Sequence, residues 1–247
     1  LVMTATPIPR SLALTLYGDL DVSIIDELPP GRQGVTTRWV PASRRHQAEE
    51  FIRGQVRQGR QAFVICPLIE ESEAVQVRAV TEEYQRLSEE VFPDLRLGLL
   101  HGRLPAREKN DVMASFRVGE VDILVATPVV EVGVDVPNAS VMLVEGANRF
   151  GLSQLHQLRG RVGRGGEPGY CLLLADSAGE EAQQRLSAME RLKDGFAVAE
   201  EDLRLRGPGD FLGTRQSGLP ELRVASLDDQ PLLDLARREA TELLAND

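Results

Sequence analysis

The sequence predicts an α/β fold: a parallel sheet covered by helices on both faces, followed by a C-terminal helical appendage. Two observations carry this expectation. Between residues 35 and 176, short runs rich in Val, Leu, Ile and Ala alternate with longer segments of helical pattern. Strands that are apolar throughout belong to parallel sheets buried on both faces. After 176 the strand signals stop, and the chain reads as helical to its end.

The elements follow in order. Strands are expected at Thr37–Val40, Ala62–Pro67, Leu95–Leu100, Ile123–Ala126, Val141–Glu145 and Tyr170–Ala175. Helices are expected between them at Arg44–Arg57, Glu73–Glu90, Ala106–Arg117 and Ser153–Arg161. Residues 35–176 therefore read as one domain of mononucleotide-binding type. Residues 1–34 contain LPPGRQG, a Pro/Gly-rich linker signal. Residues 177–247 form the appendage, where Gly207, Pro208 and Gly209 must break any helix. In it Phe196, Val198, Leu203, Leu205 and Phe211 supply an apolar stripe, and Arg204, Arg206 and Arg215 supply charge.

Hydrophobic residues make up 42% of the 247 and aromatics only 4%, so aliphatic packing should dominate the core. No run approaches the ~20 apolar residues of a membrane span, and no secretory signal is visible; a cytoplasmic location is expected. Cys66 and Cys171 lie in apolar, strand-like runs and read as inert core residues. Together with His46, His101 and His156 they show no metal-ligand spacing, so no zinc is expected. The net charge of −10 does not exclude nucleic acid, because binding depends on a local patch.

The segment HQLRGRVGRGG (156–166) carries the strongest chemical signal. Arg149, Arg159, Arg161 and Arg164 fall within sixteen positions. The intervening glycines would let the backbone approach a ligand. Arg161 and Arg164, three apart on a helix ending near Gly163, could project to one side. Two fixed guanidiniums suit a triphosphate, whose transition-state charge spreads over the γ-phosphoryl oxygens. They are expected at the carboxyl edge of the sheet, clear of local acids. Thr127 stands at the carboxyl end of the strand Ile123–Ala126, where open α/β sheets bind ligands. Asp135, on a run returning toward the sheet, suits either a ribose hydroxyl or a coupling arginine.

Other signals are decoys. SIIDELP (23–29) looks like a metal-holding acidic pair, but prolines follow it and no phosphate-binding loop precedes it. Neither Lys109 nor Lys193 follows a glycine, so G-x-x-x-x-G-K-[ST] is absent. GPGDFLG (207–213) has the wrong spacing for a dinucleotide fingerprint, and there is no G-x-S-x-G elbow. None of these signals supplies an ATP cradle.

Gln157, Gly160, Arg161, Gly163 and Arg164 spell Q-x-x-G-R-x-G-R, which resembles the sixth motif of superfamily 2 helicases. TATPIPR (4–10) is similar to their third motif, LLHGRL (99–104) to the motif between the fourth and fifth, and ILVATPVVEVGVDVPNA (123–139) to the fifth. LALTLYGDLDVSIIDELPPGR (12–32) resembles the connector of the RecG family. RFGLSQLHQLRGRVGRG (149–165) and DGFAVAEEDLRLRGPGDFLGTRQSG (194–218) are similar to segments shared by the RecG family and the transcription-repair coupling factors.

The resemblance implies the second, RecA-like motor lobe of an ATP-dependent translocase that remodels branched double-stranded DNA, at stalled forks and Holliday junctions, in the bacterial nucleoid. It implies catalytic roles for Arg161 and Arg164, and ATP binding and coupling by Gln157, Glu131, Gly133 and Asp135. Thr127, His101, Gly102 and Arg103 would bind DNA, and Arg206, Gly207 and Gln216 would form a translocation hairpin. ATP and Mg2+ would serve the full-length enzyme, and the fragment alone would bind neither. The missing first motor lobe and junction-binding domain would be partners in the same polypeptide, with no membrane involved. Pro128 departs from the family pattern, where Thr is expected; it removes a backbone donor beside Thr127. A transcription-repair coupling factor and a non-enzymatic interaction module are the alternative readings.

Overall fold

The computed structural model describes residues 25, 34–67, 73–128, 135–176, 179–206 and 230–245. The described residues form six strands: β1 Val35–Val40, β2 Gln61–Ile65, β3 Leu97–Leu100, β4 Ile123–Ala126, β5 Ala139–Val144 and β6 Gly169–Leu174. They form one sheet in the order β1-β6-β5-β2-β4-β3, with every pairing parallel. The connecting helices are α1 Arg45–Arg57, α2 Glu73–Arg86, α3 Ala106–Arg117 and α4 Leu152–Arg159; α5 Glu180–Arg191 follows the last strand. The expected α/β sheet is what the chain forms.

The strand order explains how both faces are covered. Right-handed crossovers from β1 to β2 to β3 run one way across the sheet, and those from β3 to β4 and β5 to β6 run back. Helices α1 and α2 therefore lie on one face, and α3 and α4 on the other. On the first face Ala48, Ile52 and Val56 of α1, spaced four apart, and Val80 of α2 pack with Val64, Val125, Leu143 and Leu174. On the second, Phe63 of β2 meets Phe116 of α3 edge to face, with ring centroids 5.0 Å apart. All residues of β2, β4 and β5 are buried, which is why these strands are apolar without alternation. Cys66 and Cys171 are free, buried thiols, as expected; burial pushes the Cys171 thiol up to about 12.

Edge strand β1 is shielded by a side chain. Glu190 of α5 accepts a hydrogen bond from the Trp39 backbone N–H at 2.8 Å, and the Trp39 indole donates to the Ala175 carbonyl at 3.3 Å. Covering an outward N–H in this way denies it to another strand. Helix α5 thus packs with the sheet, and Leu28–Lys193 form one compact unit. The reason is that Leu186, Ala188 and Met189 give α5 a buried face of its own. Helix α2 continues as a single π-turn over Leu87–Val91, so the helical stretch expected to Glu90 widens where Leu87 becomes fully buried.

The second unit includes Asp194–Asp247. Its described elements are α6 Gly195–Arg206 and α7 Gln230–Ala245. In α6 Val198, Ala199, Asp202 and Leu203 are buried, while Arg204 is exposed and bonded to Glu201 at 2.9 Å. Residues 207–229, which contain Phe211 and Arg215, lie outside the described residues. No described helix is long and apolar enough to cross a membrane.

Candidate functional site

Strands β3 and β4 run in register, with Leu100 opposite Ala126, so the next residues, His101 and Thr127, emerge side by side at the carboxyl edge. The Thr127 N–H donates to the Leu100 carbonyl at 3.1 Å, fixing that relation. Both side chains are buried, at 8% and 3% exposure, yet the His101 Nδ1 and the Thr127 Oγ1 have no hydrogen-bond partner. A buried polar atom left unpaired costs about 1–3 kcal/mol, so each calls for a partner such as a water, an ion or a ligand; the Thr37 Oγ1 and Arg185 Nε are unpaired in the same way. Burial holds the His101 imidazole below its ordinary pKa, with Lys109 and Arg103 adding to the effect. Gly102 and Arg103 are exposed on the following turn, which Lys109 braces by donating to the Gly102 carbonyl at 2.5 Å.

Farther along the same edge, Glu145 follows β5 and is 7% exposed. Arg45, at the start of α1, grips both of its oxygens at 2.8 and 2.6 Å and also meets Glu83 at 3.2 Å. Arg86 joins Glu83 at 2.8 Å and Glu49 at 2.7 Å. Burial raises the Glu145 carboxyl to about 7, with Glu83 pushing the same way and Arg45 opposing. The network ties α1 and α2 to the end of β5 and neutralises an acid that would otherwise face this edge. Nothing in the sequence signalled it, because Arg45 and Glu145 stand 100 residues apart.

The arginine segment lies at the opposite edge. Its Gly163 N–H donates to the carbonyl of Ala139, the first residue of β5, at 3.3 Å. A Cβ on Gly163 would stand 3.1 Å from the Cα of Gly169, where β6 begins, and one on Gly165 only 2.3 Å from the Pro137 carbonyl oxygen. The expectation that Arg161 and Arg164 occupy the carboxyl edge is therefore corrected. Helix α4 starts beyond the carboxyl end of β5 and runs back antiparallel to the strands, so whatever follows it emerges at the amino edge.

Two further corrections attach to this loop. The helix ends at Arg159, not Arg161, and Gly163 adopts a φ of +70°. The close approach that Gly163 and Gly165 permit is to protein backbone, not to a ligand. Nor is Arg164 clear of acids: it is 30% exposed and contacts Asp135 at 3.2 Å, while its Nε donates to the Gly160 carbonyl at 2.9 Å. Asp135 thus contacts an arginine of the same lobe. Arg161 is half-buried in the turn, and Gln157 lies in the last turn of α4. Arg159 is 5% exposed and donates to the carbonyls of Met189, Leu192 and Lys193 at 3.3, 2.6 and 3.0 Å. It caps α5 and is a structural residue.

Glu131, Gly133, Gly207 and Gln216 lie outside the described residues, and Arg206 ends α6 with its side chain outside them. Among the described residues no three His, Cys, Asp or Glu side chains converge to hold a metal.

A sheet with orphaned polar atoms at one edge and a clamped arginine loop at the other invites comparison with known families. The helicase conserved C-terminal domain matches residues 43–166, which span both edges. The chain belongs to that helicase family. The C-terminal part of domain 3 of the ATP-dependent DNA helicase RecG matches residues 192–247 of this helicase chain. The chain is 58% identical over its whole length to the ATP-dependent DNA helicase RecG of Synechocystis sp., and covers 30% of that protein. It is 54% identical over 98% of its length to the Thermotoga maritima RecG (31% covered) and 49% identical over all of it to the Bacillus subtilis RecG (36% covered). It thus spans about a third of these relatives. Among solved structures, RecG bound to a three-way DNA junction aligns with a TM-score of 0.73 and 52% identity, over 93% of this chain and 30% of that one. The second domain of the DEAD-box helicase Mss116p, with a TM-score of 0.50 at 21% identity, shares the fold.

Proposed function

We infer that this helicase lobe is the second motor lobe of an ATP-driven, RecG-type translocase that remodels branched duplex DNA in the bacterial cytoplasm, at the nucleoid. The single observation that carries the reading is the division of labour between the two edges. His101 and Thr127 offer unsatisfied polar atoms at the carboxyl edge, and Arg161 and Arg164 are held on a rigid loop at the amino edge. On this reading DNA lies along the first edge, contacted by Thr127, His101, Gly102 and Arg103. ATP, bound by a first motor lobe, meets the second, where Arg161 and Arg164 are the catalytic residues and Gln157 and Asp135 couple to the nucleotide. Glu131 and Gly133 would link the two edges, and Arg206, Gly207 and Gln216 would convert lobe closure into movement along DNA.

The chemistry asked of this lobe is electrostatic. A guanidinium brought to the γ-phosphoryl oxygens stabilises the charge that develops there, without forming any covalent bond to it. Among the described residues no acidic cluster fits a Mg2+ site, so no step is assigned to a metal here. Arg164 rests on Asp135 and the Gly160 carbonyl. With Asp135 66% exposed, the pair adds little stability and can be exchanged for phosphate.

Arg164→Ala in the full-length protein tests the reading. At saturating ATP and branched DNA, turnover should fall by roughly 10³-fold. A loss under tenfold would refute the catalytic assignment, and Arg161→Ala is judged in the same way.

A further inference from the structure

We propose that Arg149 is an additional phosphate-contact residue for duplex DNA, presented from the carboxyl edge beyond β5. The inference rests on the reading that places DNA at this edge, and extends it to Arg149, the first residue of the segment RFGLSQLHQLRGRVGRG (149–165).

The turn that carries Arg149 is built as a rigid support. Gly146 takes the left-handed conformation at φ 54°, and the Arg149 N–H donates back to its carbonyl at 2.9 Å. Ala147 and Phe150 are buried at 0% and 4% exposure, pinning the backbone on either side of the arginine. The Asn148 carbonyl accepts a hydrogen bond from Arg185 of α5 at 3.0 Å. A Cβ on Gly146 would meet the Pro67 ring at 3.2 Å, so the turn is also wedged against the end of β2. From this anchored turn the Arg149 side chain is exposed, and among the described residues no carboxylate pairs with it. Arg45 at the same edge is, by contrast, saturated by Glu145 and Glu83.

Position and electrostatics both suit a nucleic-acid backbone. The order β4-β2-β5 puts this turn two strands from Thr127, or about 10 Å at ~4.8 Å per strand. That is a span of roughly three nucleotides at 3.4 Å of rise each. Because Arg45 neutralises Glu145, the acid next in sequence to the turn does not repel a phosphate. A planar guanidinium is the better fork for phosphate oxygens than an ammonium.

The test uses the full-length protein with a labelled three-way junction and a labelled linear duplex, with binding measured across a range of NaCl concentrations. Arg149→Ala should weaken both complexes about fivefold and make the slope of log K against log salt shallower by about 0.9. Its melting temperature should not change, and Arg149→Lys should recover most of the slope. Arg117→Ala, an exposed arginine at the end of α3 on the amino edge, should leave the slope unchanged. An unaltered slope for Arg149→Ala, or an equal loss for Arg117→Ala, overturns the proposal. If wild-type protein binds the junction and hydrolyses ATP while Arg149→Ala matches it, Arg149 alone is refuted. If wild-type protein binds neither DNA, the functional reading falls as well.

Discussion

The two edges of the sheet solve different problems with the same kinds of residue. At the carboxyl edge, polar atoms are left unsatisfied: the His101 Nδ1 and Thr127 Oγ1 are buried without partners, and the neighbouring acid is silenced by Arg45. At the amino edge the arginine loop is held: Arg159 is consumed in capping α5, Gly163 and Gly165 press the loop against the strand starts, and Asp135 holds Arg164. An edge that must receive a ligand stores unsatisfied groups. An edge that must reach a ligand held elsewhere needs a stiff platform. On the proposed function, local cost at one and local order at the other are what separate a binding surface from a projected finger.

Substitutions can break this contrast, and after Arg164→Ala itself the largest effect should come from the platform. Gly165→Ala forces a Cβ toward the Pro137 carbonyl, so the loop must shift. A displacement of about 1 Å costs roughly 10²-fold in rate, and ATP turnover of the full-length protein should fall by that order, with junction affinity unchanged. Equal loss of both would mean that the edges are not separable. Next is Arg159→Ala, which leaves three α5-end carbonyls without their donor. It should cost about 3 kcal/mol in urea unfolding, whereas Arg161→Ala should cost less than ~1 kcal/mol.

Thr127→Val sharpens the other side. Removing an unpaired buried hydroxyl while keeping the shape should leave the free protein as stable or about 1 kcal/mol more stable, yet weaken DNA binding several-fold. A destabilised Thr127→Val protein would show that the hydroxyl is satisfied within the fold.

The smallest effect is on pH dependence. Burial lowers the His101 pKa in the folded state, so folding takes up fewer protons there than unfolding does. Stability should therefore fall as the pH drops through the unfolded value of about 6.5, and His101→Asn should flatten that decline. For Glu145, whose folded value is raised to about 7, the sign is also set by the protonated form being favoured in the fold. Its contribution is full below about 4.3 and lost as the pH rises through about 7. Replacing it by Gln should remove the slope in that window, measured by thermal unfolding at several pH values.

Much of the fold was legible. Ile123–Ala126 and Ala106–Arg117 fall where the pattern put them, because a strand buried on both faces and a helix that starts after Pro105 both leave sharp local signals. The helix expected to reach Arg161 stops at Arg159, since Gly160 and the close packing of Gly163 favour a turn that propensity alone does not reveal. The edge on which the arginines sit was misplaced although the order strand, helix, arginine, strand dictates it: a helix that leaves the carboxyl end of a strand must return its far end to the amino side. The Arg45–Glu145–Glu83–Arg86 network was invisible, because its partners meet only after the sheet has assembled. The orphaned Nδ1 of His101 is likewise a property of burial, which no motif encodes.

The most direct measurement is the DNA-concentration dependence of ATP turnover for Arg164→Ala and Thr127→Val in the full-length protein. Separate edges predict that Arg164→Ala lowers the plateau by roughly 10³-fold with an unchanged half-saturating DNA concentration, and that Thr127→Val raises the half-saturating concentration while keeping most of the plateau. If both variants shift the same parameter, the two edges act as one site and the division of labour does not hold.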